Sequence, residues 1–599
     1  MPSIRLTVHS ALAAALIVMA WPRTSAAQDP IQETVVVTAT ASPVRLSEIG
    51  RQLLVITREQ IEALPVQSVP ELLSYLASVD VRTRGTSGVQ ADVSIRGGSF
   101  GQTLVLVDGV RMNDAQSAHH NMDLPVLLED VERIELLAGP SASVHGADAF
   151  GGAINVVTRR EPPVHDAALS AGSFGYVDGR VRFDTPVGGY TQSLWSSASR
   201  SDGFMYDRDF RTAGVGGRAR LGQRTSVAAG YVDKAFGANG FYGPAPSKEW
   251  TGQTLVSAEH TMTPAAGWAT AVRASYRTHS DRFLYDIRTP QLFENRHRTH
   301  AALVAGGTDR ELGSGRLHLG AEGGEDWIRS TILGDHDVAH GSAVAEYQYR
   351  PGARTTIVSG LRFDGYSRYG SSWNPSVNAS VWTTSSIKLR ASAGHTFRIP
   401  TFTELYYHDP ANQARDDLQP ERGWSWDAGA DWLPAAVWMA SATAFVRHDQ
   451  DIIDWVRDST AERWHTANVR RLDTAGIELG VRRMVGKGGS LDAQYAWLHS
   501  DADPVAQLSK YVLDYAPQRF VVSAAIPIRE KMTFGGRLGY TRRADGREYT
   551  LADVRLARAF GRVRLFVEGY NLLDAEYQEV LGVDMPGRSA RAGLELLRF

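Results

Sequence analysis

Two adjacent histidines are the first candidates for metal binding in this sequence. His119 and His120 lie in a polar stretch, 114–121, and imidazole nitrogens are common ligands of transition metals. If that stretch is extended, however, adjacent side chains point to opposite sides and do not share one ion. Hydrogen bonding by the two imidazoles, to a ligand or within the loop, is therefore the alternative to metal ligation.

Three aspartates are the second candidates. Asp202, Asp207 and Asp209 fall within the stretch 201–210, and carboxylate oxygens gathered on one loop could bind calcium. Arg208 lies between two of them, and their spacing lacks the repeat of a dedicated calcium-binding loop. The alternative is a solvated acidic loop that binds no ion.

No set of catalytic groups is recognisable in the sequence. Ser, His and Asp residues occur, but no spacing assembles an acid, a base and a nucleophile, so we predict no enzyme and no cofactor beyond the calcium considered above. The glycine-rich stretch 97–101 lacks the Gly-Lys-Ser/Thr that completes a phosphate-binding loop. The chain has no cysteine, which excludes disulfide scaffolds, and its net charge of −3 gives no reason to expect a nucleic-acid partner.

The two histidines belong to a region of short apolar runs. Val, Ile and Leu dominate these runs, and Gly, Asp or Pro bounds each of them, which indicates short buried strands joined by loops. The runs lie at 93–98, 103–111, 130–140 and 151–160. Within the second run, Asp108-Gly109 predicts a tight hairpin turn. We therefore expect this region to form a small compact α+β unit.

Several motifs resemble those of the TonB-dependent outer-membrane receptors. The plug motifs of that family are present as Ile-Arg-Gly at 95–97, Leu-Val-Leu-Val-Asp-Gly-Val-Arg at 104–111, Glu-Arg-Ile-Glu at 132–135 and Gly-Gly-Ala-Ile-Asn-Val at 151–156. Its barrel motifs are present as Phe-Arg-Ile-Pro-Thr-Phe-Thr-Glu-Leu-Tyr at 397–406, Leu-Gln-Pro-Glu-Arg at 418–422, and the closing elements at 570–577 and 586–588. In size and plug loops the chain is most similar to the cobalamin receptors of this family.

From about residue 162 the sequence alternates between apolar and polar residues in segments of about ten, which is typical of membrane barrel strands. For example, Met532, Phe534 and Leu538 fall on one face of a segment, and Thr533 and Arg537 fall on the other. This stretch has room for about 22 strands. The predicted fold is an all-β transmembrane barrel of about 22 antiparallel strands, with the α+β plug domain inside it.

The N-terminus is predicted to be an export signal. Arg5 precedes an apolar core, and small residues follow that core at 25–27, as in a secretory signal peptide. We predict four segments: a signal peptide at 1–27, a periplasmic segment at 28–50, the plug at 51–161 and the barrel at 162–599. The terminal Phe599 is an aromatic residue of the kind that the barrel-insertion machinery recognises in such proteins.

The resemblance also implies partner-binding and ligand-binding residues. A β-branched run looks like the family's TonB box, which the TonB energy-coupling complex of the inner membrane binds by strand addition; it comprises Glu33, Thr34, Val35, Val36, Val37, Thr38 and Ala39. The polar plug loops would face outward and bind the ligand. The predicted ligand-binding residues are Ser87, Gln90, Ser99, Phe100, Gln102, Gln116, Ser117, His119, His120 and Asn121.

The resemblance predicts a lipid-embedded receptor of the Gram-negative outer membrane that actively imports a scarce metal-chelate nutrient. The compact length and the plug loops favour cobalamin, and a ferric siderophore is the alternative. A passive porin is the alternative from another class. A porin would need neither a plug nor a segment for binding TonB.

Overall fold

The computed structural model describes residues 35–36, 40–159, 165–187, 190–486, 488–503 and 508–597, and the structural statements below concern these residues. The predicted signal peptide lies outside them, as do Glu33, Thr34, Val37, Thr38, Ala39 and Phe599. Of the predicted TonB box, the backbone of Val35–Val36 is described. The last plug strand ends at Thr158 and the first barrel strand begins at Asp166.

An α+β unit at 40–159, called the plug below, lies inside a barrel whose described strands run from Asp166 to Leu597. The N-terminal strands are β1 Val35–Val36, β2 Val44–Arg45, β3 Gln52–Thr57, β4 Val79–Thr83, β5 Ala91–Ile95, β6 Thr103–Val107, β7 Val110–Arg111, β8 Val131–Ala138 and β9 Gly152–Thr158. The main sheet of the plug has the strand order β3-β8-β9-β6-β7, and β4 and β5 form a separate hairpin. Its helices are α1 Arg58–Ala63, α2 Val69–Leu73 and α3 Ala142–His145, with 3-10 turns at Leu46–Glu48, Phe100–Gln102, Ala118–His120 and Leu128–Asp130.

The plug has an apolar core between its helices and its strands. Leu72 of α2, Ile95 of β5 and Ile134 of β8 are fully buried and belong to one cluster of apolar side chains. Burial of each such side chain contributes about 1.5–3 kcal/mol to folding. These contacts hold the plug together as a unit that can be seated against the barrel wall. None of the described helices is long and apolar enough to cross a membrane.

The barrel consists of 22 long antiparallel strands in the part of the chain that the structure describes, which confirms the predicted fold class. Its first strand pairs with its last, so the sheet has no open edge. The strands are β10 Asp166–Gly172, β11 Tyr176–Val187, β12 Tyr190–Ser201, β13 Phe210–Leu221, β14 Thr225–Gly237, β15 Lys248–Met262, β16 Trp268–Leu284, β17 Glu294–Leu312, β18 Gly315–Ser330, β19 Gly334–Gly352, β20 Thr355–Tyr366, β21 Gly370–Trp382, β22 Ile387–Arg398, β24 Glu421–Ala435, β25 Trp438–Arg457, β26 Trp464–Val485, β27 Gly489–Ala502, β29 Gln518–Arg529, β30 Met532–Arg542, β31 Glu548–Phe560, β32 Val563–Tyr570 and β33 Ser589–Leu597. The connecting loops contain α4 Phe402–Tyr406 and the two-residue strands β23 Asn412–Gln413 and β28 Leu508–Ser509.

Side chains alternate between the lumen and the outer face of the barrel. In β25, Thr443 and Arg447 are buried on the lumen side, whereas Val446 is 43% exposed on the outer face. Because successive side chains of a strand point to opposite faces, the alternation seen in the sequence separates a polar lumen from an apolar outer surface. The plug therefore meets mostly polar side chains on the barrel wall.

The two ends of the barrel differ in the length of their connections. Strands are joined at one end by short turns such as 353–354, and at the other end by longer loops such as 399–420 and 571–588. Barrels of this kind carry short turns on the periplasmic side and long loops outside. The N-terminal hairpin lies at the short-turn end, where Glu48 pairs with Arg350 of β19 at 2.8 Å.

The turn between β6 and β7 is a two-residue hairpin turn, as the sequence predicts. Asp108 has φ 50° and Gly109 has φ 79°, and Val107 pairs directly with Val110. Substitution Gly109→Ala forces a side chain into left-handed backbone at a cost of about 1–2 kcal/mol. We expect about 5- to 30-fold faster hydrogen exchange of the β6–β7 amides. Gly352→Ala is the control, because a Cβ there meets no atom within 4 Å; equal exchange in both variants would contradict the expectation.

Candidate functional site

The loops of the plug that follow β4, β5 and β7 lie at the long-loop end of the barrel. The backbone N–H of Phe402, at the start of α4, donates to Ala115 O at 2.8 Å. Arg208, in the loop between β12 and β13, donates through Nη1 to Arg84 O at 3.0 Å. The plug loops and the barrel loops therefore form one continuous surface at this end.

Three rings meet on this surface. Phe100 stacks on His119 with ring centroids 4.4 Å apart, and Tyr511 meets Phe100 edge-on at 5.2 Å. Two cations flank the rings: Lys510 Nζ lies 5.4 Å from the ring centroid of Tyr511, and the Arg82 guanidinium lies 5.8 Å from that of Phe100. We call these five residues the apical platform. Arg82 is buried and ion-paired with Asp514 at 2.9 Å, so Lys510 is the cation that a ligand could reach. Aromatic faces beside an exposed cation suit a flat or conjugated ligand, including an anionic one.

His119 is held in place by a carboxylate beneath it. Its Nδ1 lies 2.7 Å from Asp92 Oδ1, and Asp92 Oδ2 accepts a hydrogen bond of 2.8 Å from Arg84. Burial raises the pKa of Asp92, but Arg84 and His119 outweigh that effect and hold it below its usual range. Burial lowers the pKa of His119 more than Asp92 raises it. The side chain of His119 remains 16% exposed, so its ring is oriented and still accessible.

Most of the other predicted ligand-binding residues hold the plug loops in place. Gln90 donates to Tyr242 Oη at 2.6 Å, Gln102 to Glu421 at 2.8 Å and Gln116 to Asp281 at 3.1 Å. Asn121 accepts the backbone N–H of Asp114. These four residues are buried, whereas Ser87, Ser99, Phe100, Ser117 and His119 are partly exposed. The exposed members are the ones that a ligand could reach without rearrangement.

His119 and His120 contact different groups. They lie in a 3-10 turn, Ala118–His120, rather than in an extended segment, so successive side chains diverge by about 120°. His120 points into the seam between plug and barrel, where its ring lies 4.4 Å from that of His279 in β16. Burial lowers the pKa of His120, but contact with Asp281 outweighs burial and raises it to about 10.

Four carboxylates and two basic side chains surround this pair of histidines. Asp114 pairs with Arg277 and Asp123 pairs with Lys234, each at 2.7 Å. Burial raises the pKa of Asp123, but Lys234 and His279 outweigh it and hold the pKa below its usual range. The members of this set are His120, Asp123, His279, Asp114, Arg277, Lys234, Asp281 and Glu249. Sequence reasoning missed all of them except His120, although polar residues at alternate positions, as in His279-x-Asp281, mark a lumen-facing strand.

The three aspartates proposed for calcium lie apart from this set. Asp209 pairs with Lys248 at 3.2 Å and is half exposed. Within the described part of the chain, Asp202, Asp207 and Asp209 are not among the groups of His, Asp and Glu whose ligand atoms lie within 4.8 Å of one another. Calcium binding by this loop stays a prediction.

Buried ion pairs seat the plug in the barrel. Arg96, from the Ile-Arg-Gly motif, pairs with Glu478 of β26 at 2.7 Å and lies 3.7 Å from Asp427 of β24. Its guanidinium also lies 4.4 Å from the ring centroid of Phe445. The Arg96 and Glu478 side chains are 3% and 6% exposed. Removing one partner of such a pair leaves the other charge buried and uncompensated.

A closed barrel of 22 described strands around a plug, with long loops at one end and short turns at the other, is the architecture of a plugged outer-membrane receptor. The family description "TonB-dependent Receptor Plug Domain" matches residues 45–153, and "TonB dependent receptor-like, beta-barrel" matches residues 163–583. The chain belongs to the TonB-dependent receptor family. It is therefore an outer-membrane protein of the Gram-negative type, and its family consists of receptors and transporters, not enzymes.

Curated relatives and solved structures place the chain among different members of this family. It is 25% identical over 489 residues to the vitamin B12 transporter BtuB of Photobacterium profundum, covering 76% of each chain. It is 26% identical over 484 residues to BtuB of Vibrio vulnificus, covering 75% of each. The siderophore receptor PirA of Acinetobacter baumannii has a similar fold, with 16% identity and a TM-score of 0.76 over 92% of this chain and 98% of that one. PirA of Pseudomonas aeruginosa has 17% identity and a TM-score of 0.73 over 91% and 99%.

Proposed function

We propose that this receptor actively imports a metal-chelate nutrient, and that the nutrient is cobalamin. The apical platform carries the proposal, since its rings offer flat contact area to a macrocycle at the end of the barrel that faces outward. The names of the relatives that are 25% and 26% identical support cobalamin. A ferric siderophore is the second candidate, because the exposed Lys510 beside the rings suits an anionic chelate.

Transport would begin when a ligand binds more tightly to the arrangement of the plug in which the N-terminal segment is released, and so increases the population of that arrangement. The platform includes Phe100 and His119 of the plug and Tyr511 of the barrel, so a ligand seated on it would contact both parts. A shift of the plug would be transmitted to the N-terminal segment, whose Val35–Val36 strand pairs with Val44–Arg45. Release of residues 33–39 would let TonB bind them by strand addition and pull on the plug.

Binding of the purified, detergent-solubilised protein to cyanocobalamin and to a panel of ferric siderophores tests the substrate, with and without calcium. We expect saturable binding of cyanocobalamin. Binding that also requires calcium would support a calcium site at Asp202, Asp207 and Asp209. Binding of a siderophore alone would overturn the cobalamin assignment and leave the transport mechanism intact.

Removal of one ring from the platform should weaken binding of whichever chelate binds. Phe100→Ala removes the ring that contacts both His119 and Tyr511, and we expect an increase in Kd of about tenfold, which is about 1.4 kcal/mol. Tyr349→Ala is the matched control, because Tyr349 lies on the outer face of β19, where it is 39% exposed. Titration of both variants by fluorescence or calorimetry measures the difference. An unchanged Kd for Phe100→Ala would place the ligand elsewhere.

A further inference from the structure

The seam between plug and barrel contains a pair of histidines whose nitrogens face shared carboxylates. His120 and Asp123 come from the plug, and His279 comes from β16 of the barrel. Their ligand atoms all lie within 4.8 Å of one another, and all three residues are buried. Two imidazoles and one carboxylate are a common ligand set for zinc.

The distances suit one ion among these three residues. Asp123 Oδ2 lies 3.2 Å from His279 Nε2 and 3.8 Å from His120 Nδ1. Donor atoms around a tetrahedral zinc lie about 3.3–3.5 Å apart, because each lies about 2.0–2.2 Å from the ion. Asp123 Oδ1 is occupied by Lys234 Nζ at 2.7 Å. The lysine therefore orients the carboxylate so that Oδ2 faces the two imidazoles.

A carboxylate stands behind each histidine, at the ring nitrogen that faces away from Asp123. His120 Nε2 lies 3.6 Å from Asp281 Oδ2, and His279 Nδ1 lies 3.7 Å from Asp114 Oδ2. Ligating histidines almost always direct their second nitrogen at such a group, which fixes the ring and raises its basicity. Within the described residues, His279 Nδ1 and Asp281 Oδ1 are buried without a hydrogen-bond partner. The arrangement therefore has both ligands and supports.

Carboxylates outnumber the fixed cations around the histidines. The carboxylates are Asp114, Asp123, Asp281 and Glu249, and the fixed cations in direct contact with them are Arg277 and Lys234. In the metal-free protein, protonated His120 supplies a further positive charge beside Asp281. A ligating imidazole is neutral, so a bound divalent ion would replace that proton as the counter-charge to the carboxylates.

We propose that His120, Asp123 and His279 bind a divalent transition-metal ion, tested here as Zn²⁺, and that this ion bridges the plug to the barrel wall. Asp281 and Asp114 position the two imidazoles. The site is independent of the chelate that the receptor imports, because it lies in the seam and does not include Phe100, Tyr511 or Lys510 of the apical platform. Movement of the plug would break the contact with His279.

Zinc binding by the full-length protein tests the proposal. The protein is purified in detergent with an affinity tag that contains no histidine, incubated with ZnCl2, passed through gel filtration, and analysed by elemental mass spectrometry and calorimetry. We expect one retained zinc per chain. His279→Gln on the barrel side and Asp123→Asn on the plug side should each weaken zinc binding by at least about 100-fold, and Asp281→Asn by about tenfold.

His297→Gln is the matched control. His297 is a buried lumen histidine of β17 whose Nδ1 contacts Ser330 Oγ at 2.8 Å, and it lies outside the ligand set. Cyanocobalamin or siderophore binding and the heat-modified mobility of the barrel on gels show which variants are folded. If a variant of a ligand residue does not fold, Asp281→Asn tests the site instead, because it keeps all three metal ligands. Absence of retained zinc, or equal zinc binding by the wild type and folded ligand variants, would overturn the proposal. Loss of zinc by His297→Gln to the same extent would also overturn it.

Discussion

Deletion of residues 33–39 is expected to abolish energised uptake of cobalamin by cells and to leave its binding to the purified receptor unchanged. The deleted residues would supply the strand that TonB pairs with, and main-chain hydrogen bonds give that pairing its affinity. The apical platform lies at the opposite end of the barrel, so the deletion leaves it intact. Uptake of labelled cobalamin by energised cells and equilibrium binding measure the two effects separately.

A matched pair of point variants distinguishes loss of strand pairing with TonB from shortening of the N-terminal segment. Val37→Pro removes a backbone N–H and is disfavoured in a paired strand, whereas Val37→Thr keeps the backbone donor and a β-branched side chain. Uptake should be lost in the first variant and kept in the second. A porin would transport equally well with either variant and with the deletion. Full uptake after the deletion would therefore exclude transport driven through this segment.

The second large effect is expected from Arg96→Ala, which removes the plug side chain of the buried ion pairs with Glu478 and Asp427. Glu478 and Asp427, both on the barrel wall, would then lose the plug guanidinium that lies 2.7 Å and 3.7 Å from them. Removing one partner of a buried pair costs about 3–5 kcal/mol. We expect the opening equilibrium constant of the plug to rise by the factor that corresponds to this free energy. Hydrogen exchange and proteolysis of the plug would then be faster, while the barrel stays folded.

Arg415→Ala provides the comparison for that effect. Arg415 pairs with Asp417 at 2.7 Å in the long loop 399–420, but the two side chains are 54% and 63% exposed. An exposed ion pair contributes about 0–1 kcal/mol, so plug opening should stay near that of the wild type. Combining Arg96→Ala with Glu478→Ala should recover part of the lost stability of the closed plug, because the buried and unpaired carboxylate of Glu478 is removed as well. If Arg96→Ala leaves hydrogen exchange of the plug unchanged, other contacts hold the plug in the barrel.

Local patterns in the sequence predicted the local structures well. Asp108-Gly109 forms the two-residue turn expected of it, since both residues adopt the positive φ that this turn requires. The alternation in segments such as 531–542 predicted strands with a polar face, and Arg537 of β30 does contact the plug through Ser74. Such features depend on a few neighbouring residues, so they are readable without a structure.

One local expectation was wrong in its premise. The stretch with His119 and His120 is a 3-10 turn and not extended. The two side chains are separated as expected, but His120 meets a second histidine that lies far away in the chain. No spacing within the stretch contains information about His279, because the barrel strand that carries it is brought alongside only when the sheet closes around the plug.

The sequence by itself determined the family, the barrel with its plug and the turn at Asp108-Gly109, because motifs, strand periodicity and turn residues act over short distances along the chain. Only the tertiary structure decided which side chains form the apical platform, the buried ion pairs between plug and barrel, and the histidine pair. Arg96 and Glu478 are 382 positions apart. Strands of a closed barrel bring such residues into contact through their register around the plug, and no local pattern records that register.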